Sequence, residues 1–165
     1  MNNILVQTIC GVSLALVAFT VPTMSQEKKA GDSAHKIVHS GDLKWTPIIK
    51  GCEIALVEGN LEAEGQPFVA RFHCSDGAKT PPHWHPTDEH VTVLSGTFAL
   101  GMGEKFDKAT MKDLPAGGFA LLPAEMRHYA VAKTAAVVQV HGQGPFALTY
   151  VNPADDPSKR APATN

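Results

Sequence analysis

The segment Gly77-Ala-Lys-Thr-Pro-Pro-His83-Trp84-His85-Pro-Thr-Asp-Glu89-His90 holds three side chains of the kinds that bind divalent metals, His83, His85 and Glu89. On a strand, residues i and i+2 point to the same face about 7 Å apart, so both imidazoles can reach one ion with bonds of about 2.0–2.1 Å. Glu89 stands four residues beyond His85, and a straight strand would carry it roughly 13 Å away. The intervening Pro86-Thr87-Asp88 is turn chemistry, and folding the chain back there starts a new strand at Glu89 beside the first. Period-2 alternation then sends Glu89, Val91 and Val93 inward, with His90 and Thr92 outward. Three candidate ligands thus share one wall.

The elements that must hold such a wall are strands. Short apolar or alternating runs follow one another along the chain: CEIALVEG, FVARFHC, HVTVLSG, TFALGMG, GFALLP, HYAVA, AAVVQVHG and FALTYV. Turn signals separate them, and glycine (14) and proline (12) are abundant, which predicts an all-β domain of closed or double-sheet type. The one helical candidate is a short stretch around Lys108–Leu114. A hairpin centred near residue 63 sets Cys52 directly opposite Cys74, with Cys52, Ile54 and Leu56 on one face with Ala70, Phe72 and Cys74. That register predicts a Cys52–Cys74 disulfide; two buried thiols are the alternative.

The histidine segment resembles the first motif of the cupin superfamily: Gly, five residues, His-x-His, three or four residues, Glu, six residues, Gly. Gly77, His83, His85, Glu89 and Gly96 fall in its register. The second motif is Gly, five residues, Pro, one residue, Gly, two residues, His, three residues, Asn; Gly117, Pro123 and His128 occupy their places. Two positions depart from it, Glu125 where Gly is usual and Ala132 where Asn is usual. Neither departure removes a metal ligand. The resemblance covers residues 77–132 and implies a single-domain cupin jelly-roll β-barrel in which His83, His85, Glu89 and His128 bind one divalent metal ion. The alternative is a metal-free barrel with surface histidines. Arg71, His73, Gln139 and His141 are candidates for either the pocket or the exterior, and Phe98, Phe119 and Leu121 for an apolar lining. Trp84, between two inward residues, should face out of the barrel and be covered by a neighbouring segment. His35 and His39 carry no assignment.

Three neutral imidazoles and one carboxylate leave a net charge of +1 on a divalent ion and, in an octahedron, two open positions, which favours catalysis over a purely structural role. The donor set suits Mn, Fe, Co, Ni, Cu or Zn. Cupins include dioxygenases, oxalate-degrading enzymes, decarboxylases, isomerases and simple binding proteins, so the fold does not choose a reaction. The resemblance favours a metal-dependent oxidoreductase of dioxygenase type acting on a small organic molecule. Its rival is a non-catalytic metal- or small-ligand-binding or sensing protein of the cell envelope.

Fourteen basic against sixteen acidic side chains give a formal net charge of −2 in 165 residues, without the basic excess of a nucleic-acid partner. Residues 1–25 contain no Asp, Glu, Lys or Arg, and Cys10–Val21 is almost wholly apolar. That pattern predicts a signal peptide over 1–25, cleaved before Gln26, and a periplasmic or secreted protein; an uncleaved N-terminal anchor is the alternative. Removal of Cys10 with the signal leaves two cysteines in a compartment where a disulfide persists. Residues 26–44 read as a flexible leader, 45–151 as the cupin domain and 152–165 as a disordered tail. After signal removal no stable membrane span is expected, and a homodimer through a sheet edge is compatible with an open jelly roll.

Overall fold

A computed structural model describes residues 35–159; the expected signal peptide, the first part of the leader and residues 160–165 lie outside that range. Eleven strands run in chain order: β1 (Thr46–Ile49), β2 (Cys52–Gly59), β3 (Pro67–Cys74), β4 (Lys79–Trp84), β5 (Glu89–Ser95), β6 (Thr97–Met102), β7 (Lys112–Pro115), β8 (Phe119–Leu122), β9 (His128–Ala132), β10 (Ala136–Gln143) and β11 (Thr149–Tyr150). They form a six-stranded sheet, β1-β2-β3-β10-β5-β8, and a five-stranded sheet, β11-β4-β9-β6-β7. All neighbouring strands in both sheets are antiparallel. This is the all-β jelly roll that the alternating runs predict, built as two facing sheets that do not close into one continuous hydrogen-bonded barrel. Among the described residues no helix is long and apolar enough to cross a membrane.

The inward faces pair bulky with small side chains. Phe68, Val91, Val93, Val138 and Val140 of the larger sheet meet Phe98, Leu100, Ala130 and Ala132 of the smaller one in the buried core, the interdigitation that facing sheets about 10 Å apart require. Tight turns join the layers. At the β5–β6 turn Gly96 has φ 74°, and a Cβ there would run into the Ala135 carbonyl. Only glycine meets both demands.

The β2–β3 register is the predicted one: Cys52 opposes Cys74, Ile54 opposes Phe72 and Leu56 opposes Ala70. The disulfide joins Cys52 to Cys74 across 22 residues of sequence. Leu56 is nevertheless exposed. The partner strand β1 starts opposite Ile54, so no strand among the described residues flanks β2 at Leu56, and a bulge follows before Glu58.

In place of a helix over Lys108–Leu114 the chain makes one 3-10 turn, Lys108–Thr110, and then β7. Asp107 caps the turn by accepting from the Ala109 N–H, but pairing of Lys112–Pro115 with β6 takes the following residues into the sheet. Residues 40–42 of the leader and 153–155 and 157–159 of the tail also form 3-10 turns, none with a buried residue. Leu43, at the end of the leader, is buried.

Candidate metal centre

The two sheets deliver the four residues from three places. His83 sits near the end of β4 with His85 just beyond it, Glu89 opens β5, and His128 opens β9 directly opposite His83. All four are buried, none more than 7% exposed. The ring centroids of His83 lie 4.2 Å from His128 and 5.0 Å from His85, and the three imidazoles place one ligand nitrogen each within 4.8 Å of one another. The Glu89 Oε2 lies 3.3 Å from His128 Nε2 and 3.7 Å from His85 Nε2. Ligands of a single ion with bonds near 2 Å stand roughly 3–4 Å apart; the two Glu89 contacts fall in that range, and the imidazole nitrogens, up to 4.8 Å apart, would draw in around a shared ion.

The tautomers fit as well. The Nδ1 atoms of His83, His85 and His128 lie 2.7, 2.8 and 2.8 Å from the carbonyl oxygens of Pro81, Ala147 and Met126. A carbonyl only accepts, so each Nδ1 carries the proton and each Nε2 turns a lone pair inward, the orientation that a metal-binding histidine needs. Burial pushes the His83 imidazole down to about 2, helped by the neighbouring His128 and His85 and opposed by the Pro81 carbonyl. Burial also lowers His85, against the pull of the Glu89 carboxylate. His85 is therefore neutral, and its approach to Glu89 is not an ion pair. Its buried Nε2 has no hydrogen-bond partner. A buried nitrogen with its lone pair facing a carboxylate is costly, and a divalent cation between the two satisfies both.

Turns lock the strands at this end. Asp88 accepts from the Ala124 N–H at 2.8 Å, Thr87 donates to the Gln143 carbonyl, and the Glu125 N–H donates to the His85 carbonyl at 2.8 Å. Glu125 holds φ 62°, a left-handed conformation in the position where the second cupin motif carries glycine. Beyond β10, the segment Gly144–Leu148 crosses behind His85. Phe146 stacks on the His85 ring and also touches the rings of Phe68 and Phe72. Sequence reasoning put Phe146 and Ala147 in the apolar run FALTYV, of which only Thr149–Tyr150 is strand, and used Asp88 as a turn residue; it gave none of the three a part in the site.

The four side chains open on a cavity with about 60 Å³ of room for the centres of water-sized molecules. Its lining is otherwise apolar except for Thr80, and it includes Phe98, Phe146 and both disulfide cysteines. Phe119 and Leu121 are not part of it; they are 55% and 49% exposed. β8 reads FALL, apolar at every position, and the alternation puts Leu122 in the core and its neighbours outside. Arg71 donates to Gln139, His141 stacks on His90 with centroids 4.8 Å apart, and His73 lies beside Trp45 and Glu53. Alternation against inward Phe72 and Val140 sets all of them on the outer face. Trp84 is partly buried, with the Arg127 guanidinium carbon 5.3 Å from its ring. His35 and His39 are exposed.

A double-sheet jelly roll with three imidazoles and a carboxylate converging in its cavity is a cupin. More narrowly, residues 33–147 match the family model described as the ChrR Cupin-like domain, and the chain belongs to that family. Among solved structures it is similar to the polyketide cyclase RemF from Streptomyces resistomycificus, with a TM-score of 0.62 and 20% identity over 74% of this chain and 89% of that one. A putative acetylacetone dioxygenase from Methylibium petroleiphilum gives a TM-score of 0.54 and 20% identity over 74% and 85% of the two chains. KdgF from Halomonas sp. gives 0.54 and 17% over 66% and 94%. At these identities the likeness is one of fold. No curated protein matches the sequence.

Proposed function

We propose that His83, His85, Glu89 and His128 together hold one divalent metal ion and that this centre makes the protein an exported, metal-dependent oxidoreductase of dioxygenase type acting on a small organic molecule. The observation that carries the metal assignment is the buried, unpartnered Nε2 of His85, in a cluster whose three Nδ1 atoms are all committed to backbone carbonyls. When bound, the ion supplies a Lewis-acidic centre with open positions at which an organic oxygen ligand and dioxygen can meet. The chain supplies the rest: fixed imidazole tautomers, a carboxylate to balance charge or take up a proton, and an apolar lining that keeps out water. The fold likeness to a putative acetylacetone dioxygenase agrees with this reading, and the disulfide agrees with a compartment outside the cytoplasm.

The test is oxygen consumption by the protein loaded in turn with Mn, Fe, Co, Ni, Cu and Zn, over a panel of enols, catechols and oxalate. Turnover with one metal and one substrate class supports the reading. Metal binding without turnover of any substrate replaces it with a non-catalytic binding or sensing role. The metal found in protein prepared from its native compartment identifies the ion.

A further inference from the structure

We infer that the cavity selects a small oxygen-chelating ligand with a single negative charge and an apolar remainder, and that it refuses dianions. The inference rests on the metal assignment above and concerns what the rest of the cavity does to a ligand at that centre. Two observations carry it, the size of the space and, among the described residues, a wall with no charged side chain besides Glu89.

About 60 Å³ is open to the centres of water-sized molecules. One such molecule needs about 10–15 Å³ by this measure, so the space takes roughly four to six water-sized groups. The part of the ligand held inside is therefore small. Of the described lining side chains outside the four metal candidates, Thr80 alone is polar, and it contributes one hydroxyl opposite Ala130. The remaining wall is hydrocarbon and disulfide, represented by Ile48, Phe72, Leu100 and Val138. The basic side chains on β3 and β10, Arg71, His73 and His141, alternate with inward residues and stand on the outer face of the sheet. Among the described residues no lysine or arginine lines the cavity.

The charge balance follows. A divalent ion and the Glu89 carboxylate leave +1, which a monoanionic chelate neutralises. A second negative charge on the ligand would enter an apolar space with no cation to meet it and a single hydroxyl to solvate it. Burial of an unpaired charge is strongly unfavourable even after relaxation. An apolar substituent in the same place instead gains contact with Phe72, Leu100 and Val138.

Pyruvate and oxalate separate these cases. They have the same number of non-hydrogen atoms and the same two-oxygen chelate, and differ by a methyl in place of a second carboxylate oxygen and its charge. Free divalent ions hold the dianion more tightly, so a reversed order can come only from the protein. The full chain, loaded with zinc, is titrated with each ligand by calorimetry, and zinc content is measured on the same samples before and after. The expected result is tighter binding of pyruvate by about tenfold or more, with zinc retained. Equal or tighter binding of oxalate overturns the inference while leaving the metal centre standing, as does failure of both ligands to bind. A protein that takes up no zinc before any ligand is added overturns the metal assignment itself.

Discussion

Phe146 lies flat against His85, with ring centroids 4.4 Å apart and planes 13° from parallel. The next residue, Ala147, accepts the hydrogen bond from His85 Nδ1. One loop therefore fixes both the plane and the rotation of an imidazole whose own position lies past the end of β4. Replacing Phe146 by Leu keeps an apolar group over the ring but loses the flat contact. Metal affinity should fall about tenfold in Phe146→Leu, the lower end of what orienting groups around metal ligands contribute, with a small loss of thermal stability. Isothermal titration with zinc, beside melting curves of the metal-free protein, reads the two effects apart. Unchanged affinity would remove Phe146 from the site.

Glu89 is the only anionic side chain among the four converging residues. Glu89→Gln keeps its shape, removes its charge and leaves a buried amide near two imidazoles. Metal should then raise the melting temperature far less than it does in the unsubstituted protein, since stabilisation by a ligand follows its concentration relative to Kd. The metal-free melting temperature should move little. Differential scanning calorimetry with and without metal checks both halves.

Acid acts on the metal-free protein through His83 and His85. Both are held below their usual value of 6.5, His83 at about 2, chiefly by burial. The unfolded chain takes up protons near pH 6.5 and the folded chain resists, so stability is full above that pH and declines below it. His83, held near 2, costs about 1.4 kcal/mol per pH unit in that window, and His85 adds to the loss in the same direction. Urea midpoints measured between pH 8 and 4 should fall from about pH 6.5 downward; bound metal should raise the midpoints without flattening the decline, because metal-held imidazoles refuse protons as the buried ones do.

The Cys52–Cys74 bridge closes a loop with a sequence separation of 22, which the chain-entropy model values at about 3 kcal/mol. Reduction, or the double substitution Cys52→Ala/Cys74→Ala, should lower the denaturant midpoint accordingly. Because both cysteines also line the cavity, the double variant is a check on the site too: its metal affinity should be nearly unchanged, since neither cysteine belongs to the imidazole cluster.

Glu125 occupies a left-handed conformation at φ 62°, which disfavours a residue with a Cβ by about 1–2 kcal/mol. Its backbone bonds, from its N–H to His85 and to its carbonyl from Arg127, do not need the side chain. Glu125→Gly should stabilise the protein by about 0.5–1 kcal/mol after the entropy that glycine adds to the unfolded chain, without change in metal binding. Thermal denaturation at fixed metal concentration decides it.

Much of this arrangement was readable in advance because strand geometry is short-ranged. The i, i+2 spacing of His83 and His85, the Pro86-Thr87-Asp88 reversal that returns Glu89, and the opposition of Cys52 to Cys74 each depend on one turn and a period of two. His128 was found only through the second motif, because nothing local in HYAVA says which strand it will face. The lining was misjudged where alternation gave no signal: Phe119 and Leu121 are as apolar as buried Leu122, and only pairing with β5 decides that they point out. The departure at Glu125 hid a backbone conformation that the glycine of the motif would have announced. Phe146 was illegible for a different reason, since its loop comes from the far end of the chain to reach His85.

The three imidazoles are all steered by main-chain oxygens, those of Pro81, Met126 and Ala147. A side-chain partner can be deleted by one codon, whereas a carbonyl is present whatever residue occupies the position. The orientation of the centre is thus carried by the path of the chain, and residues 81, 126 and 147 are free to drift as long as that path is kept. For protein engineering this means that the surroundings of the site can be recoded widely, and that its most damaging lesions will be insertions and deletions near these three carbonyls.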